Sequence, residues 1–181
     1  MARIKWVIDP AHSEVQFRIR HMMIANVTGR FERFDASVET EGDDFTSADI
    51  RFTLDLDSIN TNNKERDAHL KSRDFFSVTD YPQVIFTGKK LQKTGDNYKL
   101  SGILAIRDVS REVELDVEYG GSGRDPWGNT RVGFSVEGKI SRKDFGLNYN
   151  EMLESGGVLI GDDVKISGQV EFVRREVPVS T

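Results

Sequence analysis

The chain has 181 residues, of which 37% are hydrophobic, 11 of them Phe, and 30% are charged. That suits one soluble domain spanning residues 1–181, with its core at about 6–174. A net charge of −5 excludes the basic footprint that tracks a nucleic-acid backbone, so no nucleic-acid partner is expected. The absence of cysteine excludes disulfides, thiolate metal sites and a thiol nucleophile.

The start, Met1-Ala2-Arg3-Ile4-Lys5-Trp6, lacks the apolar core of a secretory signal. A cytoplasmic location is therefore expected, or a periplasmic one if a leader has been removed. Period-two alternation begins clearly at residues 14–21, where Val15, Phe17 and Ile19 interleave with Glu14, Gln16, Arg18 and Arg20. His21 and Met22 follow at the strand end, beside Met23. The next strand, 27–40, holds Phe31 and Phe34 at opposite parity, which predicts a bulge. Residues 46–56 alternate again, with Ile50, Phe52, Leu54 and Leu56 on one face.

Residues 57–81 break the rhythm. Asn62 followed three residues later by Glu65 forms a capping-box-like start for a short helix carrying Arg66, Asp67, Ala68, His69 and Leu70. Strands are then predicted over 82–93, 96–107, 110–121 and 129–141, with turns at Thr94-Gly95-Asp96-Asn97, Arg107-Asp108 and Asp125-Pro126-Trp127-Gly128. Ile103 and Ala105 make the 96–107 strand apolar on both faces, which suggests a covered outer surface and a homodimer. Residues 141–161 form a second long connection with Phe145, Leu147, Tyr149, Met152, Leu153 and Gly156-Gly157. A last strand occupies 162–174, and Gly138 and Gly168 sit at inward positions.

The fold class is all-β: an eight-stranded antiparallel barrel in up-and-down order, with the short helix between the third and fourth strands and the long connection between the seventh and eighth. A barrel of this size is either filled by its own side chains or wide enough for one ligand. Periodicity leaves both open. The inward set of Phe17, Ile19, Phe31, Phe52, Leu54, Phe86, Leu104, Phe134, Val136 and Val170 makes any cargo apolar.

For chemistry there are His12, His21 and His69, none with the spacing of a helical metal pair or a nucleophile-elbow context. No metal site and no catalytic residue is expected. The acidic run Glu112, Glu114, Asp116 and Glu118 alternates with apolar residues and reads as the outside of a strand. Arg66 and Asp67 on the helix, with Arg142 and Asp144 in the second connection, are placed to pin both segments over one barrel end. His21, Met22, Arg66, His69 and Arg142 are the candidate rim or headgroup residues.

Several segments together carry a family resemblance. Trp6-Val7-Ile8-Asp9-Pro10-Ala11-His12-Ser13, Gly29-Arg30-Phe31-Glu32-Arg33-Phe34, Ile59-Asn60-Thr61-Asn62 running into Arg66-Asp67-Ala68-His69-Leu70, and Asp74-Phe75-Phe76 before Tyr81-Pro82 and Phe86 resemble the YceI family of polyisoprenoid-binding, lipocalin-like proteins. Gly102-Ile103-Leu104-Ala105-Ile106-Arg107, Trp127-Gly128 and Ser141-Arg142-Lys143-Asp144-Phe145-Gly146 extend the likeness from about Trp6 to Arg174. The chain departs from the pattern at Ala105, Asp108 and Ser110, where the family has Thr, Gly and Thr around a hairpin. That puts the turn in question, with Asp108 the residue expected to take a left-handed conformation.

The resemblance implies a barrel interior that takes an isoprenoid tail of quinone or polyprenyl phosphate type. The protein would then act as carrier, buffer or storage protein, with transient membrane contact and no cofactor beyond the bound lipid. It implies no enzyme. The alternatives are an enzyme acting on the headgroup through His69 or a nearby carboxylate, and a stress-related interaction scaffold with a filled core.

Overall fold

The computed structural model describes residues 3–22, 24–151 and 159–176. Met23 and, in the second connection, Met152, Leu153, Gly156 and Gly157 lie outside the described residues. The chain begins with a strand that alternation from residue 14 onward does not reveal: β1 (Arg3–Ile8) buries Ile4, Trp6 and Ile8. The 3-10 turn Pro10–His12 then bends it into β2 (Glu14–His21), with the Asp9 side chain capping the Ala11 N–H at 3.0 Å. In the same way β3 (Ala25–Phe31) breaks at Glu32-Arg33 and continues as β4 (Phe34–Glu41). The parity of Phe31 and Phe34 predicted a bulge within one strand over 27–40; the chain instead leaves the strand for two residues there.

β5 (Asp44–Asp55), the two-residue β6 (Ile59–Asn60), α1 (Lys64–Lys71), β7 (Gln83–Thr94), β8 (Asn97–Ile106), β9 (Val109–Arg124), β10 (Thr130–Ser141) and β11 (Ile160–Glu176) complete the chain. All strand pairings are antiparallel. With β1–β2 and β3–β4 each forming one bent stave, eight staves close in chain order. The barrel, the short helix and the long connection are those expected.

Closure depends on β11. Its first half pairs with β2, from Val164↔Ile19 to Gln169↔Glu14, and its last residues pair with β1, from Phe172↔Ile8 to Glu176↔Ile4. Its other edge runs along β10 for its whole central length. Because the staves run up and down, successive connections alternate between the two ends. The β2–β3 hairpin, the segment holding α1, the β8–β9 hairpin and residues 142–151 therefore share one end, and the β4–β5, β7–β8 and β9–β10 hairpins share the other.

Local differences from expectation have local causes. The helix N-cap is Asn63, whose side chain accepts from the Arg66 N–H at 3.0 Å, because Asn62 holds a positive φ of 62° and precedes the helix. In the two-residue β8–β9 hairpin the positive φ, 55°, falls on Arg107 rather than Asp108. There the Arg107 side chain reaches the Phe75 carbonyl at 3.4 Å and ties the hairpin to the segment after α1.

Candidate functional site

Strand alternation sends one side chain in two into the barrel, and here they do not fill it. A cavity of about 610 Å³ runs along the interior, within the size range of small-molecule sites. All ten inward residues expected from alternation, Phe17, Ile19, Phe31, Phe52, Leu54, Phe86, Leu104, Phe134, Val136 and Val170, line it. Of the expected inward glycines, Gly168 lines the cavity too. A Cβ on Gly138 would come within 2.3 Å of Leu115 Cδ2.

Two other glycines explain how large rings leave space. A Cβ on Gly29 would lie 2.3 Å from Phe17 Cζ, and one on Gly102 would lie 2.5 Å from Phe86 Cζ. Each ring occupies the space that a side chain at the facing glycine would take, so aromatic surface is accommodated close to the wall.

The two ends differ. At the β4–β5 end the lining is apolar, with Val38, Phe45, Phe134 and Phe172. Phe45 and Phe134 pack edge to face at 5.2 Å, and Trp6 backs Phe45 at 5.1 Å. Buried Trp6 donates from Nε1 to Thr40 Oγ1 at 2.9 Å, and that hydroxyl donates to the Gly42 carbonyl at 2.7 Å. The indole is thus satisfied inside an apolar cluster.

At the α1 end the lining gains Arg20, His21, Asn63, Glu65, Arg66, His69, Arg142 and Tyr149. Four of the five expected rim residues are therefore at this mouth. Met22 is not among the lining residues: it follows the end of β2 with a φ of 54°, so alternation lapses there and its side chain is 41% exposed.

The polar groups at the mouth mainly hold the backbone. Arg142 is 3% exposed and donates from Nε to Gly161 O at 2.8 Å and from Nη1 to Leu147 O and Tyr149 O at 2.6 and 2.8 Å. Burial pulls its guanidinium below the ordinary value, opposed by Asp162 at 4.0 Å. Arg66 donates from Nε to Thr61 Oγ1 at 2.8 Å, and Asp67 accepts from the Thr61 N–H at 2.9 Å. Pinning of both segments is therefore observed, but through backbone and hydroxyl groups rather than ion pairs between them.

The segment around α1 meets the second connection over the mouth. The His69 ring packs edge-on against Phe75 and Tyr149 at 5.0 and 4.8 Å, while its Nε2 meets Asp74 Oδ2 at 2.8 Å. The Tyr149 hydroxyl donates to Glu151 at 3.0 Å, and that bond holds the phenol above its ordinary pKa.

His12 lies elsewhere. With Asp9 and Glu171 it offers ligand atoms within 4.8 Å of one another. Arg131 Nη1 already sits 2.8 Å from Asp9 and 3.6 Å from Glu171, and its Nε is 2.8 Å from Asp125. A guanidinium takes the cation's place, so the cluster is an ion-pair network tying the β1–β2 corner to β10 and β11. It depresses Asp9 to about 2, first through His12 and then Arg131, and Asp125 to about 2, first through Arg131.

Alternation overlooked Phe45, Asn63, Phe75 and Arg20 as lining residues. Phe45 and Ala48 both line the cavity with Ile50 and Phe52, so parity slips within β5 and a strict period cannot find Phe45.

The YceI-like domain matches residues 6–172 of the chain. The UPF0312 protein SAS2572 of Staphylococcus aureus is 38% identical over 168 residues, covering 92% of this chain and 96% of that protein. Solved structures share the fold. BcnA of Burkholderia cenocepacia has a TM-score of 0.78 at 22% identity, with 91% and 98% of the two chains covered. A polyisoprenoid binding domain from Saccharophagus degradans has a TM-score of 0.68 at 18% identity, with 96% and 98% covered.

Proposed function

Since the chain belongs to the YceI-like family, we propose that its barrel binds an isoprenoid lipid, with the tail in the lumen and the headgroup at the α1 mouth. The observation that carries this reading is the 610 Å³ cavity, mostly aromatic and aliphatic along its length with Gln16 and Ser167 as polar exceptions, and rich in polar groups at one end. That gradient matches a molecule with a long apolar tail and one polar terminus. The polyisoprenoid binding domain that shares the fold supports the same class of cargo. A quinone and a polyprenyl phosphate both have this shape.

Each buried methylene contributes about 0.8 kcal/mol relative to water. A bilayer solvates the same tail about as well, so transfer from membrane to barrel is near balance. Near balance suits a carrier or buffer that both loads and unloads, and direction is then set at the mouth. A self-contact through Ile103 and Ala105, half-buried on the outer face, belongs to the same reading; a purely monomeric sedimentation profile at high concentration would remove it.

The test is native mass spectrometry of the gently purified protein beside an organic extract of it. A stoichiometric prenylated lipid is the expected result. No bound lipid, together with no uptake of added quinone or polyprenyl phosphate, would overturn the proposal.

A further inference from the structure

The outer wall of the barrel beside the mouth has an unusual charge arrangement for a chain of net charge −5. Lys139 on β10, Lys165 on β11 and Arg18 on β2 are direct cross-strand neighbours, Lys139↔Lys165 and Lys165↔Arg18. All three are exposed. Like charges placed opposite one another across a sheet are destabilising. Lys139 meets Asp163 at 3.2 Å, whereas Arg18 and Lys165 have no carboxylate partner among the described residues.

Toward the mouth Lys143 lies just beyond β10, where Asp162 meets it at 3.5 Å, and Arg20, two residues on from Arg18, lines the mouth itself. Glu137 on β10 and Asp162 and Asp163 on β11 stand in the same wall, the last two as the partners of Lys143 and Lys139, while on β9 Glu114 and Asp116 both meet Lys99 at 3.1 Å. Arg18 and Lys165 are thus an adjacent, exposed cationic pair beside the mouth that no carboxylate among the described residues neutralises.

At the tip of the same β2–β3 hairpin, Ile24 is 80% exposed and Met22 41%. Met22 N–H is bonded to the Leu159 carbonyl at 2.8 Å, which fixes the tip beside the cavity entrance. Exposed apolar side chains at the end of a basic face form the pattern that settles at an anionic lipid surface: cations meet the headgroups and the apolar residues enter the boundary below them.

We propose that the β10–β11–β2 wall and the exposed Met22 and Ile24 side chains dock the barrel, mouth first, on an anionic bilayer. This rests on the lipid-carrier reading above, to which it adds where and on what charge of membrane the cargo is exchanged. Each Lys or Arg near such a surface strengthens binding roughly fivefold, and the apolar tip orients the mouth toward the bilayer.

The test is flotation of the full chain with vesicles free of prenyl lipid, made either of phosphatidylglycerol and phosphatidylcholine or of phosphatidylcholine alone. Wild-type protein is expected on the mixed vesicles at low salt, released by salt, and absent from the neutral ones. The R18Q/K165Q variant is expected to bind roughly 25-fold more weakly, and I24S severalfold more weakly. K90Q/K93Q, with the same change in net charge on β7, is expected to match wild type.

Equal binding to both vesicle types would overturn the proposal, as would unchanged binding by R18Q/K165Q or equal loss in K90Q/K93Q. A salt-sensitive wild-type oligomer that R18Q/K165Q dissolves would overturn it too, assigning the face to a second copy of the chain. The vesicles contain no cargo, so absence of prenylated lipid from the purified protein would sink the carrier reading while leaving the docking result to stand by itself.

Discussion

At the β4–β5 end of the barrel, Trp6, Thr40, Phe45 and Phe134 join apolar packing to a satisfied chain of two hydrogen bonds. At the α1 end, Arg142, Arg66 and His69 gather backbone carbonyls, hydroxyls and ring edges around an entrance. The first arrangement is buried packing with its polar groups paired. The second keeps a gap in shape with polar pins set over buried Phe75, Phe145 and Leu147, and its exposed polar segments are the ones expected to open at the lower free-energy cost. One end therefore holds the fold, and the other is where the proposed ligand would enter.

The comparison breaks if damage at the two ends has the same effect. Trp6→Ala removes the largest ring behind the floor and leaves Thr40 without its donor. The expected loss of global stability is about 3–5 kcal/mol, read as a fall in the urea midpoint. Arg142→Met strips donors from the carbonyls of Leu147, Tyr149 and Gly161 at the mouth. The expected loss is about 2 kcal/mol, concentrated in faster amide hydrogen exchange across residues 147–151 and 160–161 while the barrel strands keep their protection. Uniform loss of protection in that variant would contradict the division between the ends.

The corner network supplies a smaller effect that depends on pH. Asp9 and Asp125 are depressed to about 2 from an ordinary 3.8. Their folded-state pKa values are lowered, so the stability they contribute is present above about pH 4 and is lost as pH falls toward 2. Arg131→Met is expected to lower the melting temperature at neutral pH and to flatten its decline between pH 4 and 2. An acid profile parallel to wild type would show that Arg131 does not hold these carboxylates down.

The smallest effect is expected at the clasp. His69→Ala removes the two edge-to-face contacts to Phe75 and Tyr149, each worth about 1 kcal/mol. Bound lipid should remain, and its transfer to vesicles should become faster. Loss of lipid from this variant would instead make His69 a ligand contact.

Most of the barrel was legible because a half-buried antiparallel strand writes its two faces alternately into the sequence. Where one face is mixed the signal fades. In β1 the outward Val7 sits between Trp6 and Ile8, and the closing strand was missed although Ile4, Trp6 and Ile8 alternate. The lumen residues followed parity and were found; Phe45 lies where parity slips. Arg142 could be suspected as a pin, but its partners are carbonyl oxygens, which no side-chain pattern encodes. The shared end of the two long connections was in principle legible, because in an up-and-down barrel the third and seventh connections must lie on the same side.

The double pairing of β11 also governs synthesis. The first stave waits for the last one, so nothing can seal the barrel until residues 160–176 have left the ribosome. Until then the growing chain presents a curled sheet with a phenylalanine-rich inner face and two unpaired edges, a form prone to associate with its neighbours. The contacts that finish the fold span nearly the whole chain, as with Ile4 and Glu176, which places the protein among slow folders. A nascent chain halted before residue 160 should be held by chaperones, and release of the final segment should set the moment at which it becomes resistant to protease.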